Sequence, residues 1–196
     1  MSAHESMEHA EHAGHAAGHN KQIALLIAIL ALFLALSETL GKSAQTEGLA
    51  LNIKASDTWS FFQAKTIRQT VLRASADALA AQASGAADAA AKAAMTRQVE
   101  DWRQTAARYE SDPKEKDGRK ELREQAEDYE HERDTAIARY HHYEVASAAF
   151  QIGIVLASAT IITGIVALAW IAGGVGVLGL VFTAIGLFAP HAVHIV

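Results

Sequence analysis

The sequence predicts an all-α membrane protein with three transmembrane helices and a long, coiled-coil-like helical soluble region between spans one and two. Three observations support this fold class. Residues 145–196 contain no Asp, Glu, Lys or Arg, and a second uncharged apolar run extends from Ile23 to Leu36. Between these runs, residues 42–144 hold 16 of the 17 basic and 18 of the 22 acidic residues. Only two prolines interrupt a chain rich in Ala, Glu and Gln, which favours helices throughout.

Residues 1–20 form a polar tail with five histidines: His4, His9, His12, His15 and His19. Histidines three or four residues apart share one face of a helix, and imidazole binds Zn, Cu and Ni. The tail is therefore either a flexible polar segment with incidental metal affinity or a site for a divalent transition metal ion. The first interpretation is favoured because nothing in the sequence fixes a coordination geometry. No other cofactor is indicated.

The first transmembrane helix is placed at residues 21–41. A span needs about 20 apolar residues, and the run that starts at Ile23 extends to Leu40 with few interruptions. A cleaved signal peptide is disfavoured, because only Lys21 supplies a positive charge before the run and a small-residue cleavage pattern is absent. Glu38, near the far end, is expected either at the level of the lipid headgroups or facing a polar site between helices.

The charged region, residues 42–144, starts with a helical stripe formed by Ala55, Trp59, Phe62, Thr66 and Gln69. Its aromatic residues are expected to pack against partner helices or, alternatively, to lie at the membrane interface. The flanking Asp57, Lys65 and Arg68 are expected to be solvated. A straight helix over residues 42–110 would extend about 100 Å, against about 48 Å for residues 113–145. The first helix must therefore either break or lie partly along the bilayer, and the candidate breaks are Gly41, Gly48 and Ser84–Gly85.

A turn near residues 111–113 divides the charged region. Asp112 suits an N-cap, Pro113 the first helical position and Glu115 the position that completes a capping box. The pattern predicts one continuous helix from Pro113 to Ala172. Its stripe of mixed residues repeats at spacings of four and three, which is typical of a loose helix-packing face. The stripe consists of Leu122, Ala126, Tyr129, Arg133, Ala136, Tyr140, Tyr143, Ser147 and Phe150.

The uncharged end of the chain is long enough for two spans. Residues 145–172 are predicted to form transmembrane helix 2, and residues 173–196 a glycine turn at Gly173–Gly174 followed by transmembrane helix 3. In the third span, small residues recur at spacings of three and four: Gly176, Gly179, Thr183 and Gly186. Such stripes let backbones approach closely in lipid. Part of the stripe is expected to serve the contacts inside the hairpin. The rest predicts a homo-oligomer that is held by the spans, with this stripe as an interface between copies, and by the helical arms.

The distribution of charges indicates an orientation and excludes several classes of protein. Lys and Arg residues cluster on the side of the charged region, which is therefore expected to be cytoplasmic. Because the chain has no cysteine, disulfides and thiol chemistry are excluded. The charged region has no basic excess, so nucleic acid is not an expected partner. No nucleophile–base set or phosphate-binding loop occurs, and we expect no enzymatic activity.

Four strings resemble the bacterial domain-of-unknown-function family 4337. They are EHAEHAGHAAGH, SETLGKSAQTEGLALNIKASDTWSFFQAKTIRQT, RYESDPKEKDGRKELREQAEDYE and ASAAFQIGIVLASATIIT. The resemblance covers nearly the whole chain. It implies a multi-pass protein of the bacterial inner (plasma) membrane with three spans and a helical cytoplasmic region. It implies no activity and carries no functional residues.

Three functions are compatible with the sequence. The favoured one is a membrane-anchored structural or interaction protein that forms oligomers within the lipid bilayer and binds an unidentified protein partner. The alternative is an oligomeric pore or transporter for ions or small solutes, with Glu38 or Thr160 and Thr163 along its path. The third is metal handling by the histidine-rich tail.

Overall fold

The computed structural model describes residues 21–193; for residues 3–20 it contributes only the bounds of the first helix. Four helices follow one another: α1 (Ala3–Gly85), α2 (Ala89–Glu110), α3 (Arg119–Thr163) and α4 (Val166–Phe188). The described residues contain no strand. Three helices are long and apolar enough to cross a membrane, namely α1 from Lys21 onward, α3 and α4. The predicted all-α fold with three membrane-spanning helices is thereby confirmed at the level of helix length and composition.

The chain divides into two compact units. The first, called the apolar unit, comprises Met1–Gly48 and Asp134–Val196. The second, called the charged unit, comprises Leu49–Arg133.

In the apolar unit, α1 packs antiparallel to α3 through two clusters of buried side chains. Ile23 contacts Ala157 and Ala172, and Leu30 contacts Ala146 and Phe150. The rings of Phe33 and Phe150 stack at 6.0 Å between centroids. Because α1 and α3 are antiparallel, the end of the uncharged run of α1 lies beside the start of the uncharged run of α3.

The turn between the last two apolar helices lies at Gly164–Ile165, so the predicted glycine turn at Gly173–Gly174 is wrong. Both of those glycines lie inside α4, and α3 ends at Thr163 instead of residue 172. A reversal requires a residue with positive φ, and Gly164 supplies it with φ 72°. The helix α4 has 23 residues, about 34 Å, which is sufficient for a 30 Å hydrocarbon core.

In the charged unit, the aromatic stripe of α1 packs against other helices, as predicted. Trp59 Nε1 donates a hydrogen bond of 2.9 Å to Glu130 Oε1 on α3, and the Trp59 ring contacts the edge of Phe62. The break in the first arm occurs at Gly85, while α1 continues through Gly41 and Gly48. After the break, Asp88 caps α2 by accepting hydrogen bonds from two backbone N–H groups.

The helix α3 begins at Arg119, six residues later than predicted. Asp112 does act as a cap, since its side chain accepts from Glu115 N at 3.2 Å, but it starts only one turn. Lys116 ends that turn because its φ of 57° is incompatible with a right-handed helix. From Arg119 onward α3 is unbroken to Thr163, which confirms the predicted continuity across residues 129–149. All nine residues of the predicted stripe are buried or half-buried.

Candidate functional site

The first cluster of polar contacts in the charged unit is centred on Lys65. This residue is only 4% exposed, so the expectation that it would be solvated is wrong. Its Nζ lies 2.7 Å from Asp117 Oδ2 and within 5.4 Å of the ring centroids of Phe61 and Tyr109. A buried ammonium is tolerated only when it is paired, and these contacts provide the pairing. The sequence could not reveal this, because Asp117 is 52 residues away along the chain.

A second set of polar contacts lies one turn further along α1. Gln69 Nε2 donates to Ala106 O at 2.9 Å and to Glu110 Oε2 at 2.8 Å. Arg119 Nη1 donates to Gln69 Oε1 at 2.6 Å and to Glu110 Oε2 at 3.0 Å. The hydrogen bond from Gln69, together with the charge of Arg119, lowers the pKa of Glu110 below its usual 4.5. The arrangement joins the end of α2 and the start of α3 to α1.

The segment between α2 and α3 is closed by Glu121. Ser111 Oγ donates to Glu121 Oε1 at 2.5 Å, and Asp112 N donates to Glu121 Oε2 at 3.2 Å. The Ser111 hydrogen bond lowers the pKa of Glu121 below 4.5. A Cβ at Gly118 would lie 2.7 Å from Ser111 Cα, so this close approach requires glycine. These contacts are those of a structural turn, in which one carboxylate accepts hydrogen bonds from a hydroxyl and from a backbone N–H group.

The small-residue stripe of α4 packs against other helices of the same chain. Gly176, Gly179, Thr183 and Gly186 are all buried. A Cβ at Gly176 would lie 2.5 Å from Leu30 Cδ2, one at Gly179 would lie 2.7 Å from Phe150 Cε1, and one at Gly186 would lie 2.8 Å from Tyr143 Cε1. The close approach that the stripe predicts is therefore made with α1 and α3 of the same chain. Its role as an interface between copies stays a prediction, and it would require these contacts to be released.

The charged unit carries an exposed face that the sequence analysis missed. We call it the outer face of α1. It consists of Leu49, Ile53, Ser56, Ser60, Ala64, Ile67, Val71, Ala74 and Ala78, all exposed except Ala64, which is half-buried. Its four large apolar side chains are between 58% and 65% exposed, and none of the nine residues is charged. The spacing of four and three along this face was a detectable signal, but the neighbouring aromatic stripe is stronger in the sequence.

The residues proposed to line a pore do not converge in a single chain. The hydroxyls of Thr160 and Thr163 donate to backbone oxygens of their own helix, at 3.0 and 2.8 Å. Glu38 Oε1 accepts from Gln151 Nε2 at 3.3 Å. Since Gln151 and Thr160 are nine residues apart on α3, about 13 Å separates Glu38 from the threonines along the helix axis.

The proposed metal ligands of the tail, His4, His9, His12, His15 and His19, lie outside the described residues. Within residues 21–193, no group of three or more His, Asp or Glu side chains is arranged to hold a metal ion.

Comparison with known proteins gives one result. A family model described as a domain of unknown function, DUF4337, matches residues 19–189. No curated protein and no solved structure matches the chain.

Proposed function

Because the chain belongs to the DUF4337 family, whose description assigns no molecular role, we propose a function from its surfaces. The protein is a membrane-anchored helical interaction protein whose copies assemble through the outer face of α1. The observation that carries this proposal is the exposure of an uncharged apolar face in the charged unit. Four of the five large apolar side chains that are exposed in the charged unit lie on this face.

The proposed location is the bacterial inner membrane, with the charged unit in the cytoplasm. The excess of Lys and Arg on that side of the spans supports the orientation. In the apolar unit, His142 Nε2 donates to Pro190 O at 3.0 Å, so the end of α4 lies beside the start of the uncharged run of α3. The start of the uncharged run of α1 at Ile23 and the turn at Gly164 then share the opposite side of the membrane.

The occupant of the outer face of α1 is proposed to be a second copy of the chain. A helix that lies on a membrane surface carries Lys and Arg along the margins of its apolar face. Here Asp57 and Arg68 flank one margin, and the uncharged Gln63 and Thr70 flank the other. The margins therefore carry no net positive charge that would attract anionic lipid.

The side chains of the outer face also suit contact between two helices. Ser56, Ser60 and Ala64 at its centre let two backbones approach closely, while Leu49 and Ile53 before them and Ile67 and Val71 after them supply apolar area. In a homo-oligomer with its axis normal to the membrane, copies of α1 run parallel, so each residue meets residues of similar size. An uncharged face then brings no like charges together.

The test is the mass of the full-length protein in nanodiscs, measured by light scattering. The wild type is expected to be a multiple of the 20.9 kDa chain. Ile67→Glu places a charge at the centre of the face and is expected to reduce the mass to that of one chain. Ala93→Glu, an equivalent change on an exposed position of α2, is expected to leave the mass unchanged. A single-chain mass for the wild type would refute the proposal.

A further inference from the structure

The apolar unit contains a cleft between α1 and α3 that is lined in part by charged side chains. It has a volume of about 330 Å³ and is lined by Glu38, Lys42, Gln45, Tyr140, Glu144 and Ser147, among others. This volume lies at the lower end of the range found for ligand-binding pockets, about 300–1,000 Å³. It is sufficient for a small polar group but not for a complete lipid.

The position of the cleft along the helices corresponds to the membrane surface. The uncharged run of α1 ends at Ser37, and that of α3 begins at Val145. Ser37 Oγ donates to Tyr143 O at 3.2 Å, which holds the two ends at the same level. The charged residues of the cleft follow directly on α1 and precede Val145 directly on α3. Such residues lie at the depth of the lipid headgroups.

The charges in the cleft are not paired with one another. Among the described residues, no ion pair within 4.0 Å joins Lys42 to Glu38 or Glu144. Glu144 approaches only His141, at 3.8 Å, and Glu38 accepts only the hydrogen bond from Gln151. Two carboxylates and one ammonium therefore line a single cleft that is open to the outside.

We propose that this cleft binds the headgroup of a zwitterionic membrane lipid that carries a primary amine, phosphatidylethanolamine. The ammonium of the lipid lies against Glu38 and Glu144, and its phosphate lies against Lys42. An ammonium group offers three N–H donors to the carboxylates, whereas the trimethylated amine of phosphatidylcholine offers none. An anionic headgroup such as that of phosphatidylglycerol would meet two carboxylates and only one cation. The inference rests on the proposed membrane location.

The experiment measures lipid binding to delipidated full-length protein by native mass spectrometry in a mild detergent. Phosphatidylethanolamine, phosphatidylcholine and phosphatidylglycerol with identical acyl chains are titrated separately. Phosphatidylethanolamine is expected to bind about fivefold more tightly than either phosphatidylcholine or phosphatidylglycerol. A difference of this size corresponds to the free energy of one partly exposed ion pair. Equal binding of the three lipids would overturn the proposal. So would soluble phosphoethanolamine that binds as tightly as the lipid, because the site would then serve a free solute.

Variants identify the groups involved. Glu38→Gln and Glu144→Gln are each expected to abolish the preference for phosphatidylethanolamine over phosphatidylcholine. The control Glu47→Gln lies outside the cleft and is expected to leave this preference unchanged. Glu38→Lys is expected to reverse the preference in favour of phosphatidylglycerol, a gain that misfolding could not produce. An unchanged preference in Glu38→Gln and Glu144→Gln would contradict the assignment. Carbonate extraction of cell membranes separates the two proposals: protein that remains in the membrane but shows no preference refutes only the lipid site.

Discussion

At Gly179, the absence of a Cβ atom allows α4 to pack closely against α3. A Cβ there would lie 2.7 Å from Cε1 of Phe150, whose side chain is 1% exposed and stacks on Phe33. Because the ring is enclosed on the other side, it cannot move away to make room. The small residues of α4 thus act first as the contact surface of the chain's own helices.

Gly179→Ala is therefore expected to destabilise the apolar unit by about 1–3 kcal/mol, the usual cost of overpacking. The matched control is Gly174→Ala on the same helix, where an added Cβ meets no atom within 4 Å and no loss is expected. The midpoint of unfolding in a mixed-detergent titration, followed by circular dichroism, measures both. Equal midpoints for the two variants would show that the close approach at Gly179 is not present.

Lys65 gives a second residue-scale prediction. Asp117→Asn removes the charge that pairs with a buried ammonium and is expected to cost about 1–2 kcal/mol. Lys65→Met should cost less, because a methionine can occupy the space between Phe61 and Tyr109 while Asp117, whose side chain is 44% exposed, becomes hydrated. In the Lys65→Met background, Asp117→Asn should then have almost no effect. Urea titration of the wild type, the two single variants and the double variant gives the four free energies of unfolding. If the effects of the two substitutions are additive, Lys65 and Asp117 do not stabilise the fold as a pair.

Among the elements, the helices were largely predictable and the turns between them were not. The apolar runs and the stripe from Leu122 to Phe150 report on local composition and periodicity, which the sequence displays directly. The turn at Gly164 could not be separated from the five glycines of α4, because only the packing shows which glycine has positive φ and which contacts a neighbouring helix. The start of α3 was misplaced for a similar reason, since the conformation of Lys116 and the contacts of Glu121 depend on distant residues.

The interaction surfaces were predictable only in part. The four small residues of α4 were identified as a packing stripe, but periodicity does not distinguish a partner helix of the same chain from one of another copy. Lys65 and its partner Asp117 were missed because a lysine beside an aromatic stripe is usually solvated. The outer face of α1 became apparent only from the exposure of its apolar side chains in the folded charged unit.

The turn between α2 and α3 is expected to loosen in acid. The pKa of Glu121 in the fold is lowered from 4.5 by the hydrogen bond from Ser111, and that of Glu110 by the hydrogen bond from Gln69. A lowered pKa means that the fold favours the ionised carboxylate. This stabilisation is present above pH 4.5 and is lost as the pH falls through the lowered values.

Thermal unfolding from about pH 6 to about pH 3.5 should therefore show a falling midpoint in the wild type. The double variant Glu110→Gln, Glu121→Gln should start from a lower midpoint and depend less on pH. Glu124→Gln, an exposed change on α3, serves as the control. If the double variant follows the same pH dependence as the wild type, these two carboxylates do not stabilise the turn.

For the whole molecule, the orientation in the membrane can be tested with single cysteines, since the chain has none of its own. Lys114→Cys lies on the exposed turn of the charged unit, and Ile165→Cys lies between α3 and α4. An impermeant maleimide added to whole cells, with the outer membrane made permeable, is expected to label position 165 but not position 114. Labelling at position 114 alone would show that the charged unit lies on the outer side of the membrane, opposite to the proposed orientation.

The assembly of copies through α1 is the central claim, and a cysteine at Ser60 tests it most directly. Ser60 lies at the centre of the outer face of α1, where parallel copies bring identical residues together. Oxidation of native membranes that contain Ser60→Cys is expected to give a covalent dimer, and addition of Ile67→Glu should abolish it. The exposed control Ala93→Cys on α2 should give no covalent dimer. A Ser60→Cys protein that forms no dimer, or one whose dimer persists with Ile67→Glu, would contradict assembly through this face.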